Sequence, residues 1–328
     1  MVLLLSSEEV ASLLDMATAI EVTEQAFREQ GQGLAVLHGQ YALPMTAERA
    51  QDESGAFTGP RLRVTSGGLL GSGTVGLQCA VAGGGSGVAL LYDCTDGLVA
   101  IVGGGGFATL RTGATIALAA QYLAREDAAR VGLIGTGRNA LGLLEGVACI
   151  RHISEVKVYS RSDEHRRAFA ERASTALDRE VQPVDCARDA VEGAEMLLVS
   201  TNAHEPVFDP RWLEPGAYVG SMGRITELDR ELFKMADVLV VSSIEQERTR
   251  YYNPFEPVPL EEMVEQGQLP ANKVVELGEV IAGKVPGRSQ PEDTTVFHES
   301  QGGFGGVALT AAAYAEARRN GLGREVEL

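Results

Sequence analysis

Val131-Gly132-Leu133-Ile134-Gly135-Thr136-Gly137-Arg138-Asn139-Ala140 decides how this chain is read. A short apolar strand runs into a G-x-G-x-x-A turn, and a helical stretch from Leu141 to Ile150 follows. Gly135 permits the tight turn, and Gly137 has no Cβ to block a pyrophosphate. Ala140 is small enough for the helix to pack closely on the strand. Phosphates would then lie on unpaired N–H groups at a helix N-terminus, where the helix dipole favours negative charge. The turn predicts dinucleotide binding.

The next strand, Glu155 to Tyr159, lies about 20 residues further on, where a NAD-binding fold places an acidic residue on the ribose hydroxyls. This chain has Ser160-Arg161-Ser162 there, followed by Arg166 and Arg167. A carboxylate would repel a 2′-phosphate, whereas an arginine fork beside two hydroxyls would bind one through charge-assisted hydrogen bonds. NADP(H) is therefore expected ahead of NAD(H).

The 328 residues suit two domains with ample cores. A net charge of −17 argues against nucleic acid or an anionic membrane as partner, since both need basic surface. No apolar run approaches a membrane span. The start, Val2-Leu3-Leu4-Leu5, is too short for a signal peptide, and the spacing of Ser6 and Glu9 predicts a helix capping box. Cys79, Cys94, Cys149 and Cys186 have no paired spacing. They read as buried small apolar residues in a reducing, cytoplasmic compartment. His38, His152, His165 and His204 suggest no metal site.

Two short helices open the chain, and Tyr41 to Val102 reads as strands and glycine-rich turns, among them the clusters Gly83–Gly85 and Gly103–Gly106. Thr112 to Ala124 reads as an alanine-rich helix. After Arg130, strands at about 131–134, 155–159, 181–184, 196–200, 217–220 and 238–241 alternate with helices such as Asp163–Leu177. That alternation predicts an α/β fold with a doubly wound parallel sheet. Thr310 to Asn320 reads as a final helix returning to the first domain.

Arg111-Thr112-Gly113-Ala114, the Gly135 turn, Val158-Tyr159-Ser160-Arg161 and Leu213-Glu214-Pro215-Gly216 occur in that order. Gly220-Ser221, Thr226-Glu227-Leu228-Asp229, Glu276-Leu277-Gly278-Glu279-Val280, Gly287-Arg288, Thr295-Val296-Phe297 and Ser300-Gln301-Gly302 follow. With this ordered set the chain resembles the ornithine cyclodeaminase/mu-crystallin family over nearly its whole length. The resemblance implies a homodimer with two domains per chain. Residues 1–120 and 305–328 would form a substrate-binding and dimerisation domain, and residues 121–304 an NAD(P)-binding Rossmann domain. It also implies hydride exchange between a nicotinamide and the α-carbon of an amino or imino acid.

In that setting Arg111 is the expected ligand of the substrate carboxylate, which a planar guanidinium can hold at two points. Cyclodeaminases carry an aspartate where this chain has Ser221, and a serine cannot replace it as a base near neutral pH. Gln78 stands where the family usually has a lysine. The acidic pair after Ser300-Gln301-Gly302 is replaced by Gly303-Phe304-Gly305-Gly306-Val307. Arg61 and Arg63, two apart on one strand face, are candidate substitutes for the lysine. Ser221 is a candidate hydrogen-bond partner of substrate nitrogen or cofactor, and His298 a candidate proton donor. Thr136, Arg138, Asn139, Thr201, Ser221, Met222 and His298 complete the expected cofactor contacts. The expected activity is NADPH-dependent reduction of a C=N bond beside a carboxylate. The alternatives are an amino-acid dehydrogenase or cyclodeaminase, and an NADPH-binding carrier without turnover.

Overall fold

The computed structural model describes residues 1–37, 41–45, 60–81, 87–104, 106–249, 259–299 and 303–328. His38, Gly83–Gly85, Gly105 and Ser300-Gln301-Gly302 lie outside them. In chain order the first elements are β1 (Val2–Leu5), α1 (Ser7–Ala11), α2 (Met16–Gly31), β2 (Ala35–Leu37), β3 (Tyr41–Pro44), β4 (Arg61–Leu69), β5 (Thr74–Val81), β6 (Gly87–Asp93), β7 (Gly97–Gly104) and α3 (Gly106–Leu123). Then come β8 (Arg130–Ile134), α4 (Ala140–Ile150), β9 (Glu155–Tyr159), α5 (Asp163–Leu177), β10 (Gln182–Pro183), α6 (Ala187–Val191), β11 (Met196–Val199), β12 (Tyr218–Ser221), α7 (Arg230–Met235) and β13 (Val238–Val241). The chain closes with α8 (Ile244–Thr249), α9 (Pro259–Glu265), β14 (Val274–Glu276), α10 (Leu277–Ile281), β15 (Thr295–His298), α11 (Gly303–Asn320) and β16 (Arg324–Val326).

The chain divides into two compact units. One comprises Met1–Arg111, Ser243–Val258 and Ser300–Leu328, the other Thr112–Ser242 and Pro259–Glu299.

The second unit holds a parallel sheet in the order β10-β9-β8-β11-β12-β15-β13-β14. Its central strands are near-continuous apolar runs because parallel strands covered on both faces have no solvent side. All four residues of β11 and of β12 are buried. Helix α5 spans the residues that the sequence predicts. Ser162 caps it by accepting from the His165 amide, and Asp178 ends it in the left-handed region at φ 48°. Arg288, in the Gly287-Arg288 motif, donates to the carbonyls of Leu123, Pro291 and Asp293 and to the Thr295 hydroxyl. It therefore ties the end of α3 to the start of β15. These are bonds that a half-buried guanidinium can supply because its five donors fan out in one plane.

The first unit holds a mainly antiparallel sheet in the order β16-β1-β7-β6-β5-β4-β2, with β3 added on β4. The Ser6/Glu9 capping box is formed at α1. Helix α11 covers one face of this sheet and begins seven residues earlier than the sequence suggests. Close packing explains both the early start and the glycines. A Cβ on Gly303 would lie 2.2 Å from the Ser66 carbonyl oxygen, and one on Gly67 would lie 2.6 Å from the Phe304 amide nitrogen. Phe304 is fully buried, edge-on to Phe27 with ring centroids 4.9 Å apart. Helix α3 likewise starts at Gly106, so Arg111 lies inside it and not at its head.

The cysteines correct an expectation. Cys94, Cys149 and Cys186 are exposed and Cys79 is half-buried, all with free thiols. Cys94 lies in the turn after β6, Cys149 in the last turn of α4 and Cys186 at the start of α6, whereas Cys79 lies within β5. Among the described residues no helix is long and apolar enough to cross a membrane, and no cluster of His, Cys, Asp and Glu could hold a metal ion.

Candidate active site

In the second unit the carboxyl ends of β8, β11, β12 and β15 gather most of the residues singled out for the cofactor. Gly135 has φ +105°, and a Cβ there would lie 2.1 Å from the Ser200 carbonyl oxygen. Only glycine fits both the conformation and the space. Gly137 is exposed, and a Cβ on it would meet nothing within 4 Å. The requirement for glycine at 137 is thus not internal packing; the open side is where a ligand would approach. Asn139 precedes α4 without forming a side-chain cap, and the first amide of the helix, that of Ala140, donates to the Gly137 carbonyl at 3.2 Å. The turn is fastened from behind. The Gly135 amide donates to the Tyr159 carbonyl at 2.8 Å, and the Thr136 hydroxyl to the Ser160 hydroxyl at 3.1 Å. Met222 Sδ accepts from Asn139 Nδ2 at 3.5 Å and from the Ser200 hydroxyl at 3.2 Å. A glycine-lined turn with an open side at a helix start without a side-chain cap fits a dinucleotide pyrophosphate.

Arg161 is exposed on the loop after β9, and Arg138 is exposed in the glycine turn. The other arginines of the expected fork are engaged elsewhere. Arg166 is buried, lies over the Tyr159 ring, and pairs with Asp163 at 2.7 Å and Asp185 at 2.9 Å. Arg167 pairs with Asp163 at 3.0 Å. The Ser160 hydroxyl donates to the Ser162 carbonyl at 3.3 Å, and Ser162 caps α5. Arg161 is left as the cation available to a phosphate on this loop.

Ser221 and His298 face one another across the ladder between β12 and β15, and both are fully buried. The Ser221 hydroxyl donates to Glu227 Oε1 at 2.7 Å. Thr201 donates to the same carboxylate through its hydroxyl at 2.7 Å and its amide at 3.0 Å. Burial pushes the Glu227 carboxyl above the usual carboxylate range, and these hydrogen bonds and the nearby His298 oppose that rise. Sequence reasoning used Glu227 only as part of a motif. The signal it passed over was a carboxylate in the turn that follows a strand end, close in sequence to a serine and a glycine able to donate to it.

In the first unit the register places Arg61, Arg63, Thr65 and Gly67 of β4 on the sheet face that carries Gly76 and Gln78 of β5. That face lies under α11, because Cβ atoms on Gly67 and Gly76 would meet Phe304 and Val307. A Cβ on Gly306 would come within 2.5 Å of Gln78 Nε2, and one on Gly305 within 3.8 Å of Arg111 Cγ. The first turn of α11 is thus brought beside Gln78 and Arg111, on a face that also carries Arg61 and Arg63. Guanidinium groups, an amide and the positive end of an 18-residue helix make this a place suited to a carboxylate.

The family model for the ornithine cyclodeaminase/mu-crystallin family matches residues 70–315. A Delta(1)-pyrroline-2-carboxylate reductase of Bacillus cereus is 29% identical over 248 residues, which is 74% of each chain. The structure of Thermococcus litoralis Delta(1)-pyrroline-2-carboxylate reductase with NADH and L-proline superposes with a TM-score of 0.86 at 27% identity, covering 99% of this chain and 100% of that one. An archaeal alanine dehydrogenase dimer with bound NAD gives a TM-score of 0.84 at 26% identity, covering 99% of both chains. The chain belongs to the ornithine cyclodeaminase/mu-crystallin family.

Proposed function

We propose that this protein is an NADPH-dependent reductase of a C=N bond next to a carboxylate, converting a cyclic imino acid or ketimine to the amino acid. The coarser reading is an oxidoreductase acting on CH–NH and C=N bonds with a nicotinamide cofactor. The observation that carries the finer one is the pairing of an open glycine turn at 135–140 with a separate cluster of Arg111, Gln78, Arg61 and Arg63. One can hold a dinucleotide, the other an α-carboxylate. When bound, the cofactor supplies the hydride, and the protein contributes orientation and electrostatics. Arg111 holds the carboxylate at two points; Gln78 and one of Arg61 and Arg63 complete its hydrogen bonds. Ser221 replaces the aspartate that a cyclodeaminase uses, and its hydroxyl proton is already given to Glu227. Reduction is therefore favoured over deaminating ring closure. Consumption of NADPH in the presence of linear and cyclic imino acids tests the reading.

The exposed Arg161 on the loop after β9 supports a preference for NADPH over NADH, since its guanidinium suits a 2′-phosphate. Losing one charged hydrogen-bond partner costs about 1.5–3 kcal/mol, hence roughly ten-fold or more in affinity. Titration is expected to show tighter NADPH than NADH binding in the wild type, and near equality in Arg161→Ala. Equal wild-type affinities would remove the preference.

The assembly is a homodimer in the cytoplasm. The sheet face opposite α11 carries exposed Val36, Tyr41, Leu43, Val75 and Tyr92, an apolar surface of the kind that marks an interface. A sedimentation mass of one chain would contradict the dimer.

A further inference from the structure

Glu227 ends a short 3₁₀ turn, Ile225–Glu227, and is completely buried. Its Oε1 accepts from the Ser221 hydroxyl at 2.7 Å and the Gly223 amide at 3.1 Å. Its Oε2 accepts from the Thr201 hydroxyl at 2.7 Å and the Thr201 amide at 3.0 Å. Each oxygen thus accepts from a backbone N–H, which can only donate, as well as from a hydroxyl. These four donors favour the ionised form against the burial that pushes the carboxyl upward. Space around it is tight, because a Cβ on Gly223 would lie 2.1 Å from Oε2.

The donors belong to the loops that leave β11 and β12. In a doubly wound sheet of this strand order a dinucleotide lies across the carboxyl ends of the strands. One mononucleotide half belongs to the side of β8 and β9, the other to the side of β11 and β12. The glycine turn and Arg161 assign the adenosine half to β8 and β9, which leaves the nicotinamide half for the strand ends that Glu227 fastens. A charge buried there acts through a medium less polar than water and is felt more strongly than a surface charge.

We infer that Glu227 sets the charge of the nicotinamide subsite, its carboxylate favouring the cationic oxidised ring over the neutral reduced one. The inference rests on the cofactor reading above. It gives Glu227 a role beyond holding two loops, because the positive charge that develops as hydride leaves is the charge a fixed carboxylate stabilises.

The test is the ratio of NADP⁺ to NADPH dissociation constants, measured by titration on wild type, Glu227→Gln and Glu227→Asp, with melting temperatures on the same preparations. Neutralising the carboxylate in Glu227→Gln is expected to weaken NADP⁺ about ten-fold relative to NADPH. Glu227→Asp keeps the charge and is expected to keep the wild-type ratio. A role confined to loop packing would weaken both cofactors equally in Glu227→Gln, and that result would overturn the inference while leaving the cofactor reading intact. Wild type binding neither cofactor would overturn both. If Glu227→Gln does not fold, Glu227→Ala, which also removes the charge, takes its place: a ratio shifted about ten-fold against NADP⁺ supports the inference, and a wild-type ratio with both cofactors weakened equally overturns it.

Discussion

Arg111→Lys is expected to lower kcat/KM for the imino acid by about two to three orders of magnitude, roughly 3–4 kcal/mol of transition-state stabilisation, with NADPH binding and folding unchanged. Lysine keeps the positive charge but loses the planar two-point fit to a carboxylate. Arg111 lies inside α3 with its stem within reach of Gly305, so a lysine stem can follow the same path. The alternative role, anchoring the start of a helix, is weakened by that position, since α3 begins five residues earlier. A purely structural arginine would show the opposite pattern, a lower melting temperature with little loss of turnover. Measuring both quantities on one preparation separates the two, and an unchanged kcat/KM would remove Arg111 from the active site.

The glycine turn makes a second large and internally controlled prediction. At Gly135 an alanine meets a strained backbone and a carbonyl oxygen 2.1 Å from its Cβ. Strain of that kind costs about 1–3 kcal/mol even before the clash is counted. Gly135→Ala is expected to lower the melting temperature as well as abolish NADPH binding. At Gly137 a Cβ meets nothing within 4 Å. Gly137→Ala is expected to leave the cofactor-free melting temperature unchanged, yet weaken NADPH by about a hundred-fold because the methyl enters the space the pyrophosphate needs. Normal NADPH affinity in folded Gly137→Ala would show that the turn is not a phosphate cradle.

Six of the eight strands of the parallel sheet were legible because their physics is local in sequence, whereas Val274–Glu276 and Thr295–His298 were not among the expected strands. Strands such as Met196–Val199 and Val238–Val241 are short, wholly apolar and bounded by turns, and α5 carries its own start and stop signals in Ser162 and Asp178. The starts of α3 and α11 were not legible, because glycine is a poor helix former and Gly303, Gly305 and Gly306 read as loop. What overrides that preference is contact with β4, β5 and Arg111, partners far away in sequence. The arginine fork failed for a related reason. Arg166 and Arg167 have the right spacing, but Asp163 and Asp185 reach them first, and only the fold brings Asp185 there. Glu227 was the largest omission. Its charge is visible in the sequence, while the Thr201, Ser221 and Gly223 donors that define its role converge only once β11 and β12 lie side by side.

The central claim is hydride transfer to the carbon of a C=N bond beside a carboxylate, and labelled cofactor reads it directly. NADPH carrying deuterium at the transferable position, supplied with a panel of cyclic and linear imino acids, is expected to be oxidised and to leave one deuterium on the α-carbon of the amino acid formed. Product without deuterium there, activity confined to amino acid plus NADP⁺, or tight NADPH binding with no turnover on any member of the panel would contradict the account.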